Sequence, residues 1–350
     1  MSPSIESAKG IFINQESELR CGWRILLFVF VFTVVTALIG AALSTLEVLI
    51  PSLRLVGEPS EPQGYLSNRT LFYLISSRAA DLLSVVVATV VCARLFERRS
   101  FGSVGFKFHP GWSRDTLLGC VIGGAAIALA VGIASLGGAV SIEPETQLAA
   151  PIAERALLVG AGAAALLFLV AAAFEELLFR GFAFQALVHN VGPLMALTLT
   201  SAFFGIAHLG NSGATTFSTI NTMLAGVWLG LAYLATRSLW LATALHFSWN
   251  FVMVFLFGLP VSGWEGLEPL ALVDTRSGNP DWLSGGEYGP EGGLAATIAL
   301  ALATLLVWRT RLFSTSDEMQ AAIAHGRPPG PDVLSVTTVA VGEDQLNQKG

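Results

Sequence analysis

Residues 156–180 read ALLVGAGAAALLFLVAAAFEELLFR, an apolar stretch that turns abruptly charged at Glu175, Glu176 and Arg180. A helix of about 20 mostly apolar residues crosses the hydrocarbon core of a bilayer. A charged side chain at mid-bilayer costs about 2.5–3.5 kcal/mol, so a chain that keeps three of them there pairs them, uses them, or does both. The alternative is a helix that ends at Ala173 and leaves all three charges among the lipid headgroups.

The overall composition agrees with a membrane protein. Of the 350 residues, 53% are hydrophobic and only 13% are charged, whereas a soluble domain is about 25% charged. The mean hydropathy is +0.65. Basic residues are scattered, so nothing indicates a nucleic-acid partner. The three cysteines, Cys21, Cys92 and Cys120, show neither a disulfide framework nor a zinc-type spacing.

Apolar segments of spanning length recur along the chain and predict an all-α, polytopic transmembrane bundle of about eight helices. The candidate helices are 25–46, 71–95, 117–140, 156–178, 191–208, 217–235, 239–258 and 294–308. We predict a functional core in helices four to seven, because the polar motifs cluster there. The predicted organisation is an N-terminal tail (1–24), helices one to three as a packing shell (25–150), the core (151–258), an extracytoplasmic loop (259–293), the last transmembrane helix (294–311) and a polar, disordered tail (312–350).

The basic residues predict the orientation of the bundle, since lysine and arginine concentrate in short cytoplasmic loops. Five of them follow the second helix, namely Arg94, Arg98, Arg99, Lys107 and Arg114. Arg237, Arg309 and Arg311 fall on the same side if the count of eight helices holds. We therefore expect a multi-pass protein of the cell membrane with both termini in the cytoplasm. The loop 259–293 and its acidic residues would lie on the opposite side.

The spacing of the three charged residues suggests different roles for the two glutamates. Glu176 and Arg180 are four residues apart in the order that favours an intrahelical ion pair. Successive residues on a helix are about 100° apart, so Glu175 points elsewhere. A carboxylate facing a cavity in this way is a candidate general base.

Two further helices each carry a polar motif whose residues are four positions apart. These are Phe204 with His208 and His246 with Asn250. Each has an ordinary structural interpretation, as an interfacial histidine or as a hydrogen bond between helices. Together with Glu175 they offer a carboxylate, two imidazoles and an amide, which suffice to activate water and to stabilise an oxyanion. Such chemistry requires a cavity that water can reach.

The three motifs in order, EExxxR at 175–180, FxxxH at 204–208 and HxxxN at 246–250, resemble the CPBP intramembrane protease family, which includes CAAX prenyl endopeptidases and lysostaphin-resistance proteins. The resemblance implies that Glu175 and His208 activate the attacking water and that His246 and Asn250 stabilise the oxyanion. Glu176, Arg180 and Phe204 would support the site. The implied substrate is a membrane-embedded, prenylated or otherwise lipidated protein. A metal-free mechanism is favoured, with zinc bound by Glu175, His208 and His246 as the alternative.

Two other functions stay open at this level, a transporter or channel and a non-catalytic bacteriocin-immunity protein on the same fold. The zinc-protease signature HExxH and the nucleophile elbow GxSxG are both missing from the sequence. One conflict also remains. In a simple alternating topology, His208 at the end of helix five would lie across the membrane from Glu175 and His246. Either helix four continues past Arg180, or helix five begins later and lies deeper than the apolar pattern suggests.

Overall fold

A computed structural model describes residues 11–13, 19–50, 68–144, 151–264 and 271–324 of the chain. Six of its helices are long and apolar enough to cross a membrane, and two shorter apolar helices, Pro193–Ala207 and Leu294–Arg309, accompany them. The prediction of an all-α polytopic bundle is confirmed, and each of the eight candidate segments is largely helical. The chain is a multi-pass membrane protein.

The helices, numbered in chain order, have the following bounds. They are α1 (Cys21–Leu49), α2 (Asn68–Glu97), α3 (Trp112–Leu136), α4 (Pro151–Arg180), α5 (Phe182–Val191), α6 (Pro193–Ala207), α7 (Thr216–Thr236), α8 (Leu239–Phe251), α9 (Asp281–Ser284), α10 (Leu294–Arg309) and α11 (Asp317–Ala324). Helix α8 continues as one π-helical turn, Val252–Leu256.

The fourth helix extends beyond its expected end near residue 178. Helix α4 runs to Arg180, α5 begins at Phe182, and together they form one apolar span, Val159–Val191. Gly181 joins them, and a Cβ at this position would collide with the carbonyl oxygen of Leu177. The two glutamates therefore lie within a long helical span, and a helix ending at Ala173 is excluded.

Close packing on α3 positions helix α8, which carries two of the candidate site residues. A Cβ on Gly119 would come within 2.7 Å of Ala244 Cβ, and one on Gly123 would collide with Ser248 Oγ and the Leu245 carbonyl. Ser248 Oγ donates a hydrogen bond to the carbonyl oxygen of Gly119 at 3.3 Å. Small residues at this spacing let membrane helices approach closely, so α3 fixes the depth and rotation of α8.

Two apolar clusters hold the bundle together. One lies among α3, α4, α7, α8 and α10 and includes Trp228 and Leu300; the other joins α1, α2 and α5 and includes Phe28 and Phe182. Many large apolar side chains point outward instead, such as Leu38, which is 66% exposed. This arrangement suits helices whose backbone polar groups are satisfied internally and whose outer faces meet lipid.

A buried ion network joins the first two helices. Glu97 at the end of α2 pairs with Arg24 at 3.4 Å and with Arg99 at 3.0 Å, and all three side chains are nearly inaccessible. Arg99 also donates to the carbonyl oxygen of Ser103 at 2.8 Å. Two cations thus share one carboxylate, and each guanidinium also donates to a backbone oxygen, Arg24 to Leu19 and Arg99 to Ser103.

The segment predicted as an extracytoplasmic loop, 259–293, contains regular structure. Strand β2 (Val273–Ser277) pairs antiparallel with β1 (Val140–Pro144), so this segment returns to the end of α3. Two short 3₁₀ turns, Gly286–Tyr288 and Pro290–Gly292, then lead into α10. Residues 265–270 of the segment, with Glu265 and Glu268, lie outside the described residues.

Part of the predicted polar tail is packed on the bundle. Phe313 and Met319 are buried, and Thr315 Oγ1 donates to the carbonyl oxygen of Ala235 at 3.3 Å. Residues 312–324 of the tail predicted as disordered are therefore ordered, up to the end of helix α11. Residues 325–350 lie outside the described residues, as do 1–10 and 14–18 of the predicted N-terminal tail.

Candidate active site

Helices α4, α6 and α8 bring their polar side chains to one depth. Gly192, with φ of 85°, makes the turn between α5 and α6. It lies 17 residues after Glu175 (192 minus 175) and 16 residues before His208 (208 minus 192). The chain therefore travels away from Glu175 and back by nearly equal helical lengths, since each helical residue rises about 1.5 Å. The conflict over the position of His208 is resolved by the first alternative, continuation of the span past Arg180.

Glu175 lies at the centre of the cluster. Its Oε2 atom is 3.8 Å from His246 Nε2 and 4.0 Å from His208 Nε2. That oxygen is buried and has no hydrogen-bond partner among the described residues, although 22% of the side chain is exposed. A carboxylate oxygen with free acceptor capacity beside two imidazoles can receive a proton from a bound molecule.

The histidine tautomers follow from the partners of the Nδ1 atoms. His208 Nδ1 lies 2.7 Å from the carbonyl oxygen of Phe204. His246 Nδ1 lies 2.9 Å from Glu176 Oε1. Carbonyl and carboxylate oxygens only accept, so both Nδ1 atoms donate, and in the neutral rings both Nε2 atoms carry the lone pair. Both rings thus present Nε2 to Glu175.

The Glu176 carboxylate is completely buried and joins His246 to Arg180. Its Oε1 atom accepts from Arg180 Nη1 at 3.0 Å as well as from His246 Nδ1. Arg180 Nη2 donates to the carbonyl oxygen of Gly226 on α7 at 3.1 Å. The guanidinium also lies 4.6 Å from the centre of the Phe204 ring, a cation–π contact that favours burial of the charge. The ion pair expected from the spacing is present. Its contacts connect helices α4, α6, α7 and α8.

A small cavity of about 30 Å³ opens beside these groups. Both histidines line it, as do Phe204 and Asn250. Asn250 lies one helical turn after His246, and its side chain is mostly buried. The other predicted residues, Glu175, Glu176 and Arg180, lie beside these side chains but are not among the residues that line the cavity.

The cavity is also lined by residues that sequence reasoning did not select. Glu291, from the 3₁₀ turn Pro290–Gly292, accepts from Trp249 Nε1 at 3.0 Å. The backbone N–H and the hydroxyl of Ser262 both donate to its other oxygen at 2.6 Å. Asn221 binds the Glu291 backbone at 2.8 Å. Neither Asn221 nor Glu291 lies in one of the three motifs, and Trp249 is not one of the fixed positions of HxxxN, so the sequence pattern does not single them out.

The donor types of the cluster suit zinc, but their spacing is wide. Zinc–ligand bonds of about 2.0–2.2 Å place tetrahedral ligands about 3.3–3.6 Å apart, compared with 3.8 and 4.0 Å from Glu175 to the two imidazoles. Within the described parts of the chain, no group of three His, Cys, Asp or Glu side chains is arranged to hold a metal ion. Zinc ligation by Glu175, His208 and His246 thus stays an alternative prediction.

Residues 158–252 match the family described as Rce1-like, type II CAAX prenyl endopeptidase. The matched range lies inside the predicted core and contains all three motifs. The resemblance drawn from those motifs is therefore confirmed for this part of the chain. A comparison with curated proteins found no match.

Proposed function

We propose that this multi-pass membrane protein, with its CAAX-protease-like core, is an intramembrane endopeptidase that hydrolyses a peptide bond with water activated by Glu175. The observation that carries this proposal is the approach of Glu175 Oε2 to both Nε2 atoms, within 4.0 Å, beside a cavity. Two imidazoles and a carboxylate converging within a bilayer-spanning bundle have a large desolvation cost. Hydrolytic chemistry gives a reason to retain them.

The proposed reaction begins with a water molecule that donates one hydrogen to Glu175 Oε2 and the other to His208 Nε2. Glu175 removes a proton as the water oxygen bonds to the carbonyl carbon of the substrate. The resulting oxyanion accepts hydrogen bonds from the Asn250 amide and from His246 when that ring carries two protons. Glu175 then passes its proton to the amide nitrogen, the C–N bond breaks, a carboxylic acid and an amine leave, and Glu175 is again a carboxylate.

Glu176 and Arg180 are proposed as positioning residues in this scheme. The Glu176 carboxylate holds Nδ1 of His246, which fixes the ring orientation and balances the charge of a doubly protonated imidazole. Arg180 in turn neutralises Glu176 and attaches it to α7 through Gly226. Neither group needs to touch the substrate to affect the rate.

The proposed substrate is a protein held at the membrane, either embedded in it or carrying a prenyl or other lipid group. The depth of the site within apolar helices and the core's resemblance to CAAX endopeptidases support this class. The predicted orientation, with both termini in the cytoplasm, is also part of the proposal. A reporter fused to each terminus, active only in the cytoplasm, should give a signal in both fusions.

The proposal is tested with the full chain in proteoliposomes and a fluorogenic peptide that carries a farnesylated cysteine in a C-terminal CAAX sequence. A second peptide spans the bilayer, so that either substrate class can be detected. We expect cleavage by the wild-type protein and none by Glu175→Gln or His208→Ala. Glu143→Gln is the matched control, because Glu143 is an exposed carboxyl group in β1. Turnover of Glu175→Gln at the wild-type rate would refute the mechanism.

A further inference from the structure

The carboxylate of Glu291 lines the same cavity as the two histidines. We propose that Glu291 is a specificity residue and forms a subsite for a positively charged side chain of the substrate, close to the scissile bond. This inference rests on the proposed peptidase function and adds a preference that the catalytic cluster alone does not give.

Glu291 is held in place by three hydrogen bonds to its carboxylate. Trp249 Nε1 occupies one oxygen at 3.0 Å, and the N–H and hydroxyl of Ser262 occupy the other at 2.6 Å. The Asn221 side chain holds the neighbouring backbone through the carbonyl oxygens of Glu291 and Gly293, at 2.8 and 3.0 Å. A carboxylate fixed by its surroundings in this way loses little side-chain entropy when it binds a ligand.

The subsite is close to the proposed chemistry. Trp249 follows His246 by three residues on α8, so the two side chains are neighbours on one helical face. His246, Trp249 and Glu291 all line the same cavity. The indole that binds Glu291 is thus next to the imidazole proposed to face the oxyanion. A peptide with its scissile carbonyl at His246 would place an adjacent side chain near Glu291.

The charge of Glu291 has no neutralising partner among the described residues. Its three carboxylate donors are an indole, a backbone amide and a hydroxyl, all of which are neutral. Of the ion pairs formed by the described residues, none includes Glu291. A carboxylate in a partly enclosed cavity attracts a cation more strongly than one in bulk water. The same charge disfavours a substrate carboxylate at this position.

The aromatic side chains of the cavity suit the same ligand. Trp228 and Trp249 both line it, with ring centroids 5.9 Å apart. Indole faces bind ammonium and guanidinium groups, and the stems of lysine and arginine pack on apolar rings. Trp228 is 1% exposed, and its Nε1–H has no partner in the described part of the chain.

The inference is tested with farnesylated CAAX peptides and bilayer-spanning peptides that carry lysine, norleucine or glutamate in turn at each position flanking the cleaved bond. The wild-type protein should show a higher kcat/KM for lysine than for norleucine at one of these positions, by about tenfold or more, with glutamate lowest. The variant Glu291→Gln should lose the difference between lysine and norleucine. Glu287→Gln, which removes an exposed carboxylate in the preceding 3₁₀ turn and keeps Glu291, should retain it.

The outcomes separate the inference from the proposed function. If the wild-type protein cleaves the peptides but favours lysine at none of these positions, the subsite is refuted while the peptidase function stands, whether or not any variant folds. A preference for lysine that survives in folded Glu291→Gln would refute the role of this residue. If the wild-type protein cleaves none of the peptides, the proposed function itself fails. Thermal unfolding of each variant in detergent establishes that it is folded.

Discussion

The carboxylate of Glu176 holds the imidazole of His246 by its Nδ1 atom, 2.9 Å away, on the side of the ring opposite to Glu175. Glu176 and Glu175, which are adjacent in one motif, thus lie next to the two different ring nitrogens of His246. Glu176 and Glu175 differ accordingly. The first is completely buried and its Oε1 atom binds both Arg180 and His246, whereas the second is partly exposed; the Oε2 atoms of both have no hydrogen-bond partner among the described residues. Each role predicts a different result on mutation.

Replacing Arg180 with methionine should destabilise the protein by about 3–5 kcal/mol, because it leaves the buried Glu176 carboxylate without its counter-charge. The double variant Glu176→Gln/Arg180→Met should be less destabilised than Arg180→Met alone, yet it should remain inactive because His246 loses its charged partner. Chemical unfolding in mixed micelles and peptide cleavage measure the two effects. A double variant with wild-type activity would contradict the positioning role.

Replacing Glu175 with glutamine should lower kcat by at least about 10²–10⁴, the usual contribution of a general base. The stability of the protein should change little, since Glu175 Oε2 has no hydrogen-bond partner among the described residues. The same unfolding assay gives the comparison with Arg180→Met. Loss of activity caused only by unfolding would assign Glu175 a structural role instead.

Replacing Asn250 with alanine should lower kcat by about 10²–10³ and leave KM nearly unchanged, as expected when a donor acts on the oxyanion of the transition state. Steady-state kinetics on the farnesylated peptide separates the two constants. An increase in KM at constant kcat would instead mean that Asn250 binds substrate and transition state equally.

Replacing Gly123 with alanine should destabilise the bundle by about 1–3 kcal/mol through overpacking against α8. The displaced helix carries His246 and Asn250, so activity should fall by about 100-fold if the shift reaches 1 Å. Gly132→Ala on the same helix is the matched control, since a Cβ there meets nothing within 4 Å. It should be neutral or stabilising by about 0.5–1 kcal/mol. Equal behaviour of the two variants would contradict the proposed packing constraint.

Dialysis against a strong zinc chelator should leave cleavage unchanged under the favoured metal-free mechanism. The zinc alternative predicts loss of activity and its recovery on addition of Zn²⁺, because Glu175, His208 and His246 would then be ligands. Metal content measured before and after dialysis establishes that removal was complete. Recovery specific to zinc would replace the mechanism proposed above while retaining the same residues.

Much of the fold was predictable because apolar length is a strong signal in a membrane protein. The predicted contact between Glu176 and Arg180 also follows from helical spacing alone. The continuation of this span from Phe182 to Val191 was missed because Arg180 and Gly181 interrupt the apolar pattern, although protein contacts rather than lipid surround Arg180. Hydropathy describes transfer into lipid, and Arg180 is instead bonded to Glu176 and Gly226.

The place of Glu291 in the cavity could not be predicted either, for a different reason. Glu291 reaches the site through a segment with little periodicity, whose position depends on contacts distant in sequence. Ser262 lies 29 residues before Glu291, and Asn221 lies 70 residues before it. A single acidic residue between a proline and two glycines resembles an exposed turn. Only the folded chain brings it into the same cavity as the two histidines.

The turn at Gly192 has a consequence for how this protein can vary. Inserting one residue between Gly192 and His208 would lift the imidazole by about 1.5 Å and swing it by about 100°, away from Glu175. A matching insertion between Glu175 and Gly192 would restore the height but not the angle. Insertions in the segments from Glu175 to Gly192 and from Gly192 to His208 are therefore restricted to whole helical turns of equal length in both. The lengths of these two segments thus set the position of His208 relative to Glu175.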